Sequence, residues 1–191
     1  MNPSEQELAA FKELLLTMAS HAEESVSHAV RAQLDRDESL AHQALEADVV
    51  IDQLEMQIDD HAIQLLSRSP DEFALRLVTS GMKVSQDLER VGDEATTIAR
   101  RALRLVEEPP LNTPIEIDEM ARRVLSMLKD ALDAFVDGNT AQARAVIPRD
   151  KEVDELNRRF RSVLSGIMAE KPDTIPRCLN KMVICKCLER I

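Results

Sequence analysis

Ser69-Pro70-Asp71-Glu72 lies midway between two acid pairs, Asp48-x-x-x-Asp52 and Glu89-x-x-x-Asp93. A spacing of four places both carboxylates of a pair on one helix face, one turn apart. Ser69 with Glu72 reads as a capping box, with proline at the first helical position, so a helix starts here. In an antiparallel helical hairpin, residues equidistant from the turn face one another. Asp52 then stands opposite Glu89, and Asp48 opposite Asp93, about a midpoint between Pro70 and Asp71. The second half of the chain repeats the device. Asp150-x-x-x-Asp154 is followed by Glu189, which faces Asp154 about a midpoint between Lys171 and Pro172. Clustered carboxylates repel one another, so a cation is the natural reason to build such sites.

Outward from these hairpins, period-3.6 patterning covers most of the chain. It predicts six helices, at about 4–34, 37–68, from the capping box to 107, 115–136, 140–170 and from 174 onward. Asp35-Arg36-Asp37-Glu38 breaks the first helix and offers a cap for the second, and Asn139 or Thr140 caps the fifth. Pro109, Pro110 and Pro114 mark the single linker. Asp48 and Asp52 recur as Asp150 and Asp154, 102 residues on, and Leu88-Glu89-Arg90-Val91 recurs as Leu188-Glu189-Arg190-Ile191, 100 residues on. The expected fold is all-α, a tandem repeat of two three-helix bundles spanning 1–108 and 115–191. The partner of Asp150 would fall at position 193, past Ile191. The last helix is therefore expected to run on for several turns, and the second site to be weak in the chain as it stands.

Composition agrees and excludes. The 191 residues are 44% hydrophobic and only 2% aromatic, with 4 glycines, which favours long helices over sheets. A net charge of −11 argues against a general nucleic-acid binder and for cations or basic partner surfaces. No apolar stretch approaches the ~20 residues of a membrane span, and residues 2–5 do not begin a signal peptide. Cys178, Cys185 and Cys187 read as apolar helix residues in a reducing compartment, not as a disulfide framework.

Carboxylates are hard ligands that suit magnesium, calcium, manganese and iron, and also serve zinc. Asp48, Asp52, Glu89 and Asp93 are the candidates in the first hairpin, with Glu55 at a plausible height. Asp150, Asp154 and Glu189 are those of the second. Arg90 and Arg190 follow the glutamates and offer salt bridges as an alternative. An oxygen-activating di-metal site needs Glu-x-x-His. The residues three before His21, His28, His42 and His61 are Met18, Ser25, Ser39 and Ile58, so that signature is absent. No phosphate loop or nucleophile motif is visible. These absences count against an enzyme; three readings stand, a non-enzymatic regulator, a carboxylate-bound metal enzyme and a metal-free structural module.

Asp-x-x-x-Asp in one helix and Asp87-Leu88-Glu89-Arg90-Val91-Gly92-Asp93-Glu94-Ala95 in the next resemble the PhoU family of phosphate-uptake regulators. Cys187-Leu188-Glu189-Arg190-Ile191 starts the same motif again. Ala74-Leu75-Arg76 departs from it, lacking an acid that many members carry there. The resemblance implies a helical, commonly dimeric, cytoplasmic or membrane-peripheral protein. It implies repression of the phosphate-starvation response, by coupling a phosphate ABC transporter to a sensor histidine kinase. It also implies multinuclear metal clusters (iron, zinc, manganese or magnesium) on Asp48, Asp52, Glu89 and Asp93, and on Asp150, Asp154 and Glu189.

Overall fold

The computed structural model describes residues 3–191, and these contain helices and turns but no strand. Helix α1 (Glu5–Asp35) opens on a capping box in which Ser4 and Glu7 each satisfy the other's backbone N–H. Asp37 caps α2 (Glu38–Leu66), accepting from the Ser39 N–H at 2.8 Å. Helix α3 (Glu72–Glu107) completes an antiparallel three-helix bundle in which each helix packs on the other two. The turn before α3 differs from the expected capping box. Ser69 takes a left-handed conformation (φ 55°), and Asp71 is the cap, accepting from the Ala74 N–H at 2.8 Å. The proline therefore stiffens the approach to the cap and stands outside the first turn.

The inner faces are apolar stripes. Ile51, Ile58 and Leu65 recur every seven residues on α2 and are fully buried. They share one core with Phe11, Leu15 and Met18 of α1 and with Leu88 and Ile98 of α3. Arg36, in a left-handed conformation (φ 56°) at the α1–α2 corner, reaches the far end of the bundle's third helix. Its guanidinium donates to the carbonyls of Leu105 (3.0 Å), Val106 (2.6 Å) and Glu108 (2.7 Å), groups that a helix C-terminus leaves without partners.

The linker leads into α4 (Ile117–Asp137), which ends on Gly138 in a left-handed conformation (φ 65°). Asn139 caps the short α5 (Thr140–Val146). The single expected helix over 140–170 is in fact two. Pro148 lies in a 3-10 turn, Ile147–Arg149, and α6 starts only at Asp150 and runs to Glu170. Proline lacks an N–H and clashes with the carbonyl four residues back, so the α ladder cannot pass through it. A second 3-10 turn (Pro172–Thr174) precedes α7 (Ile175–Arg190). The two repeats are not separate bundles. Helix α4 lies against α1, with Lys12 Nζ donating to the Val136 carbonyl at 2.6 Å, and α7 packs on α3 as well as on α6. Met120, Phe160, Ile184 and Leu188 thus join the core of the first unit.

Two glycines make opposite predictions. A Cβ on Gly81 would lie 2.4 Å from Phe11 Cε1 and 2.7 Å from Cζ, in a ring held edge-on by His61 (centroids 6.0 Å apart). Gly81→Ala should lower stability by about 1–3 kcal/mol, overlap outweighing helix propensity. A Cβ on exposed Gly166 meets nothing within 4 Å, so Gly166→Ala should raise stability by about 0.5–1 kcal/mol. Thermal unfolding of the two variants checks both signs.

Candidate metal centre

The α2–α3 hairpin brings together the first set of acids. Asp48 and Glu55 are half-buried on α2, Glu89 is half-buried on α3, and Asp52 and Asp93 are exposed beside them. Gly92 makes the close approach possible. Its missing side chain leaves room for Ile51, whose Cδ1 would stand 3.0 Å from a Cβ there, and for Asp48 Oδ1 at 3.6 Å. A glycine inside a helix costs about 1 kcal/mol against alanine. That makes Gly92 the signal of a close approach which inspection of the acids alone overlooks.

The electrostatics are those of like charges held together. Partial burial, then repulsion from Asp52 and Asp93, raises the Asp48 carboxyl above the ordinary value, against a pull downward by Arg100. Burial and then Asp93, Glu55, Asp52 and Asp48 raise Glu89. Glu55 is raised by burial and by its neighbours Asp59 and Asp52. The arginines that offered neutralisation are engaged elsewhere. Arg90 pairs with Asp87 (3.6 Å) and Arg190 with Glu94 (3.2 Å). The donor set fits a hard cation, being all carboxylate and short of counter-charge. Among the described residues, no three His, Cys, Asp or Glu side chains stand close enough to enclose an ion, so closure requires side-chain rotation.

The second set is arranged differently. Glu189 on α7 is ion-paired with Lys186, one turn before it. Asp150 is exposed at the first residue of α6, directly after the Pro148 turn, and Asp154 is half-buried one turn on. The sequence pattern did not reveal the engagement of Glu189 by Lys186, because a lysine three residues away is a common surface neighbour. Three further arginines form ion pairs at the surface. Arg122 pairs with Asp118, Arg123 with Glu119 and Glu152, and Arg158 with Glu155. All three cysteines are buried and free. Burial pushes Cys185 and Cys187 up to about 12, so neither supplies a thiolate at neutral pH.

The tandem of long helices with an acidic α2–α3 hairpin defines an all-α helical-bundle protein. Comparison with known proteins gives the particular family. Residues 15–102 and 117–191 each match the PhoU domain, and the chain belongs to the PhoU family. It is 38% identical to a phosphate-specific transport system accessory protein PhoU homolog of Pseudomonas aeruginosa, over 97% of this chain and 77% of that protein. It is 30% identical to the Escherichia coli phosphate-specific transport system accessory protein PhoU, again over 97% of this chain and 77% of that protein. The crystal structure of PhoU from Pseudomonas aeruginosa superposes with a TM-score of 0.91, covering 97% of this chain and 90% of that one at 38% identity. That of the phosphate transport system regulatory protein PhoU from Streptococcus pneumoniae gives 0.88, at 28% identity, 97% of this chain and 88% of that one. No helix among the described residues is long and apolar enough to cross a membrane.

The raised carboxyls make stability pH-dependent in a defined direction. Asp48 and Glu89 hold protons more tightly in the folded than in the unfolded chain. Their contribution to stability therefore falls as pH rises from the unfolded values (3.8 and 4.5) through the higher folded ones, and the deficit is complete above these. In chelator-treated buffer, Asp48→Asn/Glu89→Gln should melt higher than the parent chain at pH 7, and the gain should fade as pH falls through the unfolded values and be gone by about pH 3. Calorimetric Tm against pH measures this, and a pH-independent gain contradicts it.

Proposed function

We propose that this chain is a negative regulator of phosphate uptake and of the phosphate-starvation response. It acts as a cytoplasmic, homodimeric helical adaptor between a phosphate ABC transporter and a sensor histidine kinase. Its two halves, 1–108 and 115–191, serve as successive copies of one three-helix unit. The first hairpin would hold metal through Asp48, Asp52, Glu89 and Asp93. Iron, manganese, magnesium and zinc all suit these ligands. The observation that carries this reading is the row of mutually repelling carboxylates across α2 and α3, which Arg90 and Arg190 leave for other partners and which Arg100 offsets only at Asp48. The names of the relatives support the link to phosphate transport. A bound cation supplies positive charge that offsets the repulsion, and so draws the two helices together. Asp150, Asp154 and Glu189 form the weaker site, since a metal there must displace Lys186 from Glu189.

Elemental analysis of the natively purified protein should find one of these metals, and Asp48→Ala/Asp52→Ala should remove most of it. Metal content that is negligible, or unchanged by the substitutions, sinks the metal reading. Deletion of the gene should make phosphatase expression constitutive in phosphate-rich medium. An undisturbed starvation response would sink the regulatory role.

A further inference from the structure

Helix α2 has two apolar stripes. The inner one, Ile51, Ile58 and Leu65, fills the core. A second, Val49, Met56 and Ile63, has the same seven-residue period but lies two residues out of step. At 100° per residue that is about 200° around the axis, the opposite side of the helix. These three side chains are 58%, 60% and 61% exposed. Together they form a straight ridge about 21 Å long on the outside of the bundle. Charge on the helix is one-sided. Its 29 residues contain seven carboxylates and neither lysine nor arginine. Asp52 and Asp59 border the ridge on one flank, Glu46 and Asp60 on the other.

We propose that the outer face of α2 is a docking surface for a basic amphipathic helix of a partner protein. A ridge one side chain wide, with heptad spacing and polar borders, matches a helix laid alongside it. The unrelieved acidity selects lysine- and arginine-flanked helices and steers them in. The same acidity disfavours the competing occupants. A second copy would bring its own flanking carboxylates against these, and an anionic membrane surface would be repelled. Dimerisation then uses another face. The proposal rests on the adaptor reading for its partner being a protein, but binding at this face requires neither phosphate nor metal.

Anisotropy of a labelled peptide tests it on the full chain in chelator-treated buffer. The probe is a helix of about 21 residues with leucines at heptad spacing and lysines on both flanks; a scrambled peptide of identical composition is the control. The patterned peptide should bind, and weaken about tenfold with Val49→Ser/Met56→Ser/Ile63→Ser, with scrambling, or with 0.5 M salt. Circular dichroism should show the triple variant folded, since all three side chains are solvent-facing. Equal affinity for both peptides would mean attraction by charge alone and would overturn the proposal, as would absence of binding. So would sedimentation showing a dimer of the parent chain that the triple variant loses. A failed deletion phenotype would sink the regulatory role and leave this result standing.

Discussion

Packing of α2 on α3 brings buried apolar side chains and repelling carboxylates into the same seam. Ile51 and Leu88 are each almost fully buried, and Gly92 lets the helices approach until Ile51 and Asp48 both reach the α3 backbone. Apolar burial is worth roughly 1.5–3 kcal/mol for a fully buried side chain of this size. Repulsion between half-exposed carboxylates is screened by water and salt. Burial therefore sets the geometry, and the acids accept their closeness as a consequence. That order explains why the hairpin tolerates carboxylates held close together.

The first unit was legible because its signals are local and redundant. Asp37, within the expected break, and Asn139 both cap helices, and the α2–α3 hairpin brings the acids of the two helices within electrostatic reach of one another. Three features were not legible for physical reasons. Pro148 sits within an otherwise helical pattern, so periodicity alone joined α5 to α6. Ser69 and Asp71 both qualify as caps, and only backbone conformation distinguishes them. The alliance of α4 with α1 and of α7 with α3 depends on apolar faces far apart in sequence, which no repeat offset reports.

The repeat is thus clearer in sequence than in three dimensions. Equivalent acids occupy equivalent positions, yet their surroundings have diverged. Asp48 has α3 beside it and Gly92 opposite. Asp150 opens a helix directly after a proline turn, and Glu189 already has a lysine. Duplication preserves residues at a fixed spacing, whereas the charge around them depends on neighbours that drift independently. Family membership therefore fixes the architecture of both halves more firmly than it fixes an equal chemistry in each.

Arg36 ties the corner between α1 and α2 to the last turn of α3 through three carbonyls. Helix ends ordinarily fray first, because their terminal carbonyls exchange freely with water. Here one side chain closes the terminus of the longest helix from across the bundle. Opening the first unit from its α3 end, or from the α1–α2 corner, breaks the same contacts. Local unfolding at that pole is thereby merged into a single cooperative event, and the linker to the second unit starts from an anchored point.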